Sequence, residues 1–495
     1  MSINRIANKK LDDEFEVDGL WWLPNDPDNK IPGTLFFKRN EIKLKLMGGF
    51  RSENGLQEFL NDSTTPFEIV YGQSNHDEKI TLIEADSSGG ITSLNGFKSE
   101  VYDINSFITG GYFEDKNNIS FYSCTIFPTY LTTWLDKRPI SLEWFEPEKD
   151  SSIRNFTARL NETSTFNYSI DSLKAEIKET NIFNNKLDNN RDNLHWEFTS
   201  GLSLIAANKK LSWFKNKSKD LINFLSILIG EGVYFQRINF KGDFEKNQSS
   251  KIKTEPRREN YYYFIKQHDY KNKNKFSNND ILINFKEIEE EFPLLLDNWF
   301  KKTEELNEIY KLYFGILYSN VVYIENTLLS TIQILEIYHR NRYEGKVFDE
   351  ETFKIEKRKI KGFSKKHLDK EFHEKIMQSL AHANEYSLRM RLSELINSFS
   401  DNTKLALIGD TQDVKKFVKQ LVDTRNYLAH YDPERKPNLL NSIDKKFYGI
   451  QRLKAIVTMI LFIDLGMDEE FVINKIKDSQ HFSYSLAKAK EILNS

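Results

Sequence analysis

The hydrophobic residues of this chain change their period part-way along its 495 residues, and that change limits what it can fold into. From about Phe15 to about Phe166 they come in short alternating or apolar runs. Ile42, Leu44 and Leu46 alternate with Lys43, Lys45 and Met47 and stop at Gly48 and Gly49; Phe67 to Tyr71, Ile80 to Ile83 and Ile119 to Phe127 are rich in branched and aromatic residues. Such runs suit a pleated strand, whose side chains point to opposite faces in turn. Bounded by Gly, Asn, Asp and Ser, they predict a β-sandwich or a barrel-like sheet. From Phe285 onward the spacing becomes three and four. Leu317, Val321, Ile324, Leu328, Ile332, Leu335 and His339 make one stripe of a long helix. Pro293 breaks one helix and starts the next. Further helices are expected near Arg391 to Phe399, Val414 to His430, Ile443 to Leu465 with Gly466 as its stop, and Phe482 to Leu493.

The stretch between these regimes is mixed. Trp196 to Ala206 and Val233 to Phe240 read as strands flanking a helix from about Trp213 to Leu228, which Gly230 and Gly232 stop; Tyr261 to Phe264 begins another strand, and Gln267 to Asp280 reads as a loop. The fold class expected is therefore α+β and multidomain. A β-rich, sandwich-like N-terminal region, 1–170, and a mixed α/β segment, 171–284, continuous with it or separate, precede an all-α bundle, 285–495. Trp21, Trp22, Trp134 and Trp144 are open to two uses, a ligand-stacking surface or core and rim packing, the second being the commoner.

Composition removes several functions. A formal net charge of -3 gives no global signature of a nucleic-acid binder, so any RNA contact must come from local patches. The single cysteine, Cys124, excludes an intrachain disulfide and suits a reducing cytoplasm. Met1 to Ile6 lacks the apolar core of a signal peptide, and the longest apolar run, Ala455 to Leu465, is too short to span a bilayer, so a cytoplasmic protein with no membrane contact is expected. His367, His373 and His382 with Glu371 and Glu374 lack zinc-protease spacing, and Gly90 to Lys98 lacks the Gly-Lys-Ser/Thr ending of a phosphate-binding loop. Neither a metal site nor another cofactor is expected.

One helix end carries chemistry. Val414, Phe417, Val418, Leu421, Val422, Leu428 and Ala429 form a buried stripe into which Arg425, Asn426 and His430 are set. Asp432 precedes Pro433, so the helix should stop at about His430 or Tyr431. Histidine exchanges protons near neutrality, and arginine offers a planar fork matched to phosphate oxygens. Asn426 and His430 are four apart and share a face; Arg425, five residues from His430, falls roughly 140° around the helix. The two converge only if the last turn distorts or a second subunit completes the site. Glu336, on the long helix, can pair with Arg425, hold His430 in one tautomer, or pair with Arg340 four residues on. Lys357, Arg358, Lys359, Lys361, Lys365 and Lys366 follow in a run expected to be a solvated loop or, beside a phosphate-cutting site, a guide for RNA.

Arg425-Asn426-Tyr427-Leu428-Ala429-His430 resembles the Arg-x(4-6)-His motif of HEPN domains, and Val422 to His430 is similar to the ApeA-like branch of that superfamily. Ile332 to Arg340 resembles the helix that carries the branch's acidic residue. Gly19-Leu20-Trp21-Trp22-Leu23-Pro24, followed by Ile31-Pro32-Gly33-Thr34-Leu35, is similar to the opening of the ApeA N-terminal domain. The resemblance implies a HEPN homodimer, or a higher oligomer, with the motifs of two subunits facing each other. It also implies an antiphage endoribonuclease that cuts host or phage RNA, tRNA being one candidate, and so halts growth after infection.

The residues themselves suit metal-independent cleavage, because RNA carries its own nucleophile in the 2′-hydroxyl. His430 is expected to transfer the proton, Arg425 to steady phosphate oxygens, Asn426 to orient the substrate or His430, and Tyr427 to stack on a base, with Glu336 in support. The β-rich region would sense a phage-derived trigger or restrain the nuclease. The alternative is a non-catalytic HEPN module that binds nucleotide or a partner and carries a β-rich recognition domain.

Overall fold

The computed structural model describes the chain except for residues 1–5, 51–65, 92–98, 146–154, 188–193, 245–257, 269–275, 320–322, 431–438 and 495. It divides into two compact units, Met1–Phe300 and Lys301–Ser495. The first is built on one antiparallel sheet. β1 (Phe15–Leu23), β2 (Asp26–Lys38), β3 (Glu41–Leu46), β4 (Phe67–Ser74), β5 (Lys79–Ile91) and β6 (Ser99–Thr109) pair in the order β6-β3-β2-β1-β4-β5, and β5 pairs back onto β6. That return closes a ring, which leaves these strands no free edge and matches the barrel-like form of the sheet. Its interior is aromatic: Phe107 stacks on Phe264 at 4.6 Å, and Phe37 meets both edge-on.

On its second edge β6 is shared. Residues 100–103 pair with β3, whereas residues 106–109 pair with β14 (Arg258–Ile265). From β14 the sheet runs outward through β13 (Phe235–Phe244), β7 (Ser120–Pro128), β12 (Leu194–Lys210) and β11 (Ala175–Leu187) to β10 (Asn167–Ile170). The strands of the mixed segment thus extend the same sheet that the first region builds. A separate hairpin pairs β8 (Ile140–Phe145) with β9 (Asn155–Leu160). Helix α1 (Leu211–Ile229) packs on β7 and β12 and ends at Gly230, whose φ of 81° is one that L side chains rarely adopt. At the end of this unit, α2 (Phe292–Lys302) holds Pro293 in its first turn and packs Phe292 on Trp134 and Phe285.

The tryptophans serve packing. Trp21 and Trp134 have no exposed surface, and their ring N–H groups donate to the carbonyls of Gly33 at 3.0 Å and Ile283 at 2.8 Å. Trp22 is buried against Tyr71 and Tyr112. The Trp144 side chain lies outside the described residues.

The second unit is helical: α3 (Asn307–Tyr318), α4 (Ile324–Arg342), α5 (Glu350–His367), α6 (Lys370–Ser379), α7 (Leu388–Asn397), α8 (Asp401–Leu407), α9 (Thr411–His430), α10 (Ile443–Leu465), α11 (Glu469–Asp478) and α12 (Gln480–Leu493). α10, buried on nearly every side, is the centre against which α4, α11 and α12 pack. Val321, in the expected stripe of the long helix, lies outside the described residues, and α4 starts after it. Asp464 of α10 fixes the far end of α4, accepting from Tyr338 at 3.2 Å and Arg342 at 2.9 Å.

The basic run expected as a solvated loop is helical. Asp349 caps α5 by accepting from the Thr352 N–H at 2.9 Å, Glu350 and Glu351 occupy the positive N-terminal turn, and Lys365, Lys366 and His367 the negative C-terminal one. Lysine, arginine and glutamate are good helix formers even where they bury nothing. The cap and the acidic first turn outweigh Gly362, and the charge of the run disguises its period. Of α5 only Ser364 is buried, and its Oγ meets His373 Nδ1 of α6 at 2.8 Å, joining the two helices as a hairpin.

Candidate active site

The site is built where α9 ends beside α4 and the foot of the α5–α6 hairpin. α9 presents Val414, Phe417, Val418 and Leu421 to the core, and Thr424 Oγ1 accepts the Leu440 N–H at 2.9 Å, so the chain is pinned to the helix beyond residues 431–438. Arg425 follows Thr424 and is half-buried, as are Asn426 and Tyr427. The α9 helix runs without interruption through the motif to His430, which keeps Arg425 and His430 on different faces. The His430 side chain, with Tyr431, Asp432 and Pro433, lies outside the described residues.

Arg425 Nη1 donates to Asn426 Oδ1 at 3.3 Å, so the amide beside the arginine orients the guanidinium. Arg425 Nη2 stands 4.0 Å from Glu336 Oε2. The other oxygen of the same carboxylate lies 3.2 Å from Arg340 Nη2. Glu336 therefore holds both of the arginines expected as its partners at once, tightly on Arg340 and at the limit of an ion pair on Arg425, whereas its expected hold on His430 falls on a side chain outside the described residues. Arg340 reaches on to Glu385, Nη1 to Oε2 at 3.0 Å, and Arg391 Nη2 lies 3.7 Å from that carboxylate. Arg425, Glu336, Arg340 and Glu385 thus alternate in sign around an open cleft, which His382 and Tyr386 also line, with the buried Arg391 behind Glu385.

Beneath the cleft is a group of residues the motif did not predict. His339 is fully buried, with Nε2 2.7 Å from Glu394 Oε2 and Nδ1 3.2 Å from Arg391 Nη1. A guanidinium can only donate, so Nδ1 accepts and the imidazole hydrogen sits on Nε2, donated to Glu394. Burial holds His339 below its ordinary value, against the opposing pull of Glu394. His339 belongs to the hydrophobic stripe of α4, and its buried position was legible there; its polar partners come from α7.

The cleft floor is also fixed by backbone. Val347 N–H donates to the Asn384 carbonyl at 2.9 Å, Tyr386 N–H to the Gly345 carbonyl at 2.8 Å, and the buried Asn384 side chain bonds both N–H and C=O of Phe348. This clamp closes the base of the α5–α6 hairpin and sets Glu385 beside α4. Gly345, at φ 61°, turns the chain where an added Cβ would stand 2.7 Å from Arg391 Nη1. Of the residues expected to guide RNA, Lys357 is half-buried and Arg358, Lys359, Lys361, Lys365 and Lys366 are exposed on α5; none of them lines the cleft.

Residues 16–299 match the family described as ApeA N-terminal domain 1, and residues 329–471, which contain α9 and the whole cleft, match the Apea-like HEPN family. The chain belongs to the ApeA-like HEPN proteins. No curated protein and no solved structure matches it. The HEPN match places Arg425, Asn426 and His430 inside an Apea-like HEPN domain rather than at the end of an unrelated bundle helix. Among the described residues no group of three or more His, Cys, Asp or Glu side chains is placed to hold a metal ion, and no helix is long and apolar enough to cross a membrane.

Proposed function

We propose that this ApeA-like HEPN protein is a metal-independent endoribonuclease of antiphage defence. The observation that carries the reading is the Arg425-x4-His430 motif within the matched HEPN domain, with Arg425 half-buried, oriented by Asn426 and opening onto a cleft. The 2′-oxygen of a ribose attacks the adjacent phosphorus, the bond from phosphorus to the 5′-oxygen breaks, and the charge that builds on the phosphorane is met by the Arg425 guanidinium. His430 transfers the proton, Asn426 orients the guanidinium or the substrate, and Tyr427 stacks on a base. Glu336 holds Arg425 loosely enough for a phosphate to replace it.

The substrate is RNA, with tRNA a candidate, and the basic face of α5 attracts its backbone. The protein acts as a homodimer, or a higher oligomer built from it, because Arg425 and His430 leave α9 on different faces and two motifs facing each other bring both groups to one phosphate. The N-terminal unit senses a phage-derived trigger or restrains the nuclease, and the protein works in the cytoplasm. The chemistry leaves a 2′,3′-cyclic phosphate and a 5′-hydroxyl. Sequencing RNA ends from infected cells is expected to show such ends accumulating with the protein and not with its His430→Ala variant; ends carrying a 3′-hydroxyl and 5′-phosphate would point to a different cutting chemistry.

A further inference from the structure

The cleft onto which Arg425 opens holds a second histidine. His382 stands at its rim with its side chain 83% exposed and its Nδ1 3.1 Å from Glu385 Oε1. Glu385 is itself fixed, by Arg340 at 3.0 Å and by the backbone clamp between residues 345–348 and 384–386. His382 and Arg340 hold the Glu385 carboxyl down at about 2, so it is an anion throughout the working range of pH. An anion only accepts, so the Nδ1 of His382 carries a hydrogen and Nε2 is the nitrogen presented for proton exchange. A carboxylate that fixes one imidazole nitrogen and leaves the other to the substrate is the wiring of a general acid–base group.

Cleaving RNA by its own 2′-hydroxyl requires two proton transfers, one from the attacking oxygen and one to the leaving oxygen. The motif supplies a single histidine per chain. Resting on the ribonuclease reading above, the geometry points to His382 as a second catalytic residue that donates the proton of its Nε2 to the departing 5′-oxygen. The balance is complete: the bond between the 2′-oxygen and phosphorus forms, the bond between phosphorus and the 5′-oxygen breaks, His430 gains the 2′-hydroxyl proton and His382 loses one to the leaving strand. Both imidazoles are reset by exchange with water, for which the rim position of His382 is suited. Glu385 and Arg340 are positioning residues for this histidine.

The test uses the full-length protein on total RNA in EDTA, with and without extract from phage-infected cells, comparing wild type with His382→Ala, His382→Gln and Arg425→Ala. Glutamine keeps a bond to Glu385 and cannot transfer a proton. Both His382 variants are expected to fold as wild type, checked by melting curves, and to cut about a hundredfold more slowly. Free imidazole is expected to restore part of the rate of His382→Ala and none of that of His382→Gln. A glutamine variant that cuts at the wild-type rate, or an alanine variant that imidazole does not restore, overturns the assignment while the nuclease reading stands. Loss of that reading shows differently: wild type leaves RNA intact, or Arg425→Ala cuts as well as it does.

Discussion

At the scale of single residues, the site is a network of polar groups each held by two or three others. Glu336 lies between Arg340 and Arg425, Glu385 between Arg340, Arg391 and His382, and His339 between Arg391 and Glu394. His339 makes stability depend on pH. Burial lowers its value in the folded protein below the ordinary 6.5, so the unfolded chain takes up the proton first. Stability is therefore present above about 6.5 and is lost as pH falls below it. The thermal midpoint of wild type is expected to fall between about pH 7 and pH 5, with a smaller fall for His339→Gln, whose amide can accept from Arg391 and donate to Glu394 without titrating; equal slopes for the two proteins would remove His339 from the account. The Asn426 and Arg425 neighbours were legible from adjacency and helical spacing. The buried pairs of His339 were not, because Arg391 and Glu394 are 52 and 55 residues away and no local period links them.

At the scale of elements, α9 and α10 were legible because each carries an apolar stripe with clear stops, Gly466 at φ 102° in the case of α10. α5 was not, because almost nothing on it is buried, and periodicity reports burial rather than helix formation. Its order comes from a cap, end charges and pairs such as Lys359 with Glu356 at 2.7 Å. A charged helix of this kind presents its cations in a fixed array rather than on a loose loop. If α5 guides RNA, replacing Lys361, Lys365 and Lys366 with Gln is expected to weaken binding to single-stranded RNA about tenfold at moderate salt and to flatten its salt dependence, the slope of log affinity against log salt falling by up to about two. Filter binding across a salt series measures this, and an unchanged slope would assign the run to another partner.

At the scale of the whole molecule, the change of period in the sequence corresponds to the change from a β-built to a helical unit. The alternation of β3 and the apolar runs of β4 and β5 were visible, but the bounds of β1, β2 and β6 and the closure of the six strands into a ring were not, since closure depends on β1 pairing with β4 and β3 with β6, strands that are not neighbours in the chain. The tryptophans follow the same logic: their composition left a stacking surface open, and the burial of Trp21, Trp22 and Trp134 shows a core. The proposed nuclease chemistry of the HEPN unit needs Arg425 and His430 and no metal. The direct measurement is cleavage of total RNA in EDTA by the purified full-length protein, with and without extract from phage-infected cells, beside Arg425→Ala and His430→Ala. Wild type is expected to cut, and each variant to lose about a hundredfold or more of that rate while keeping the wild-type oligomeric mass. RNA left intact by wild type under both conditions, or cut equally by the variants, would contradict the account.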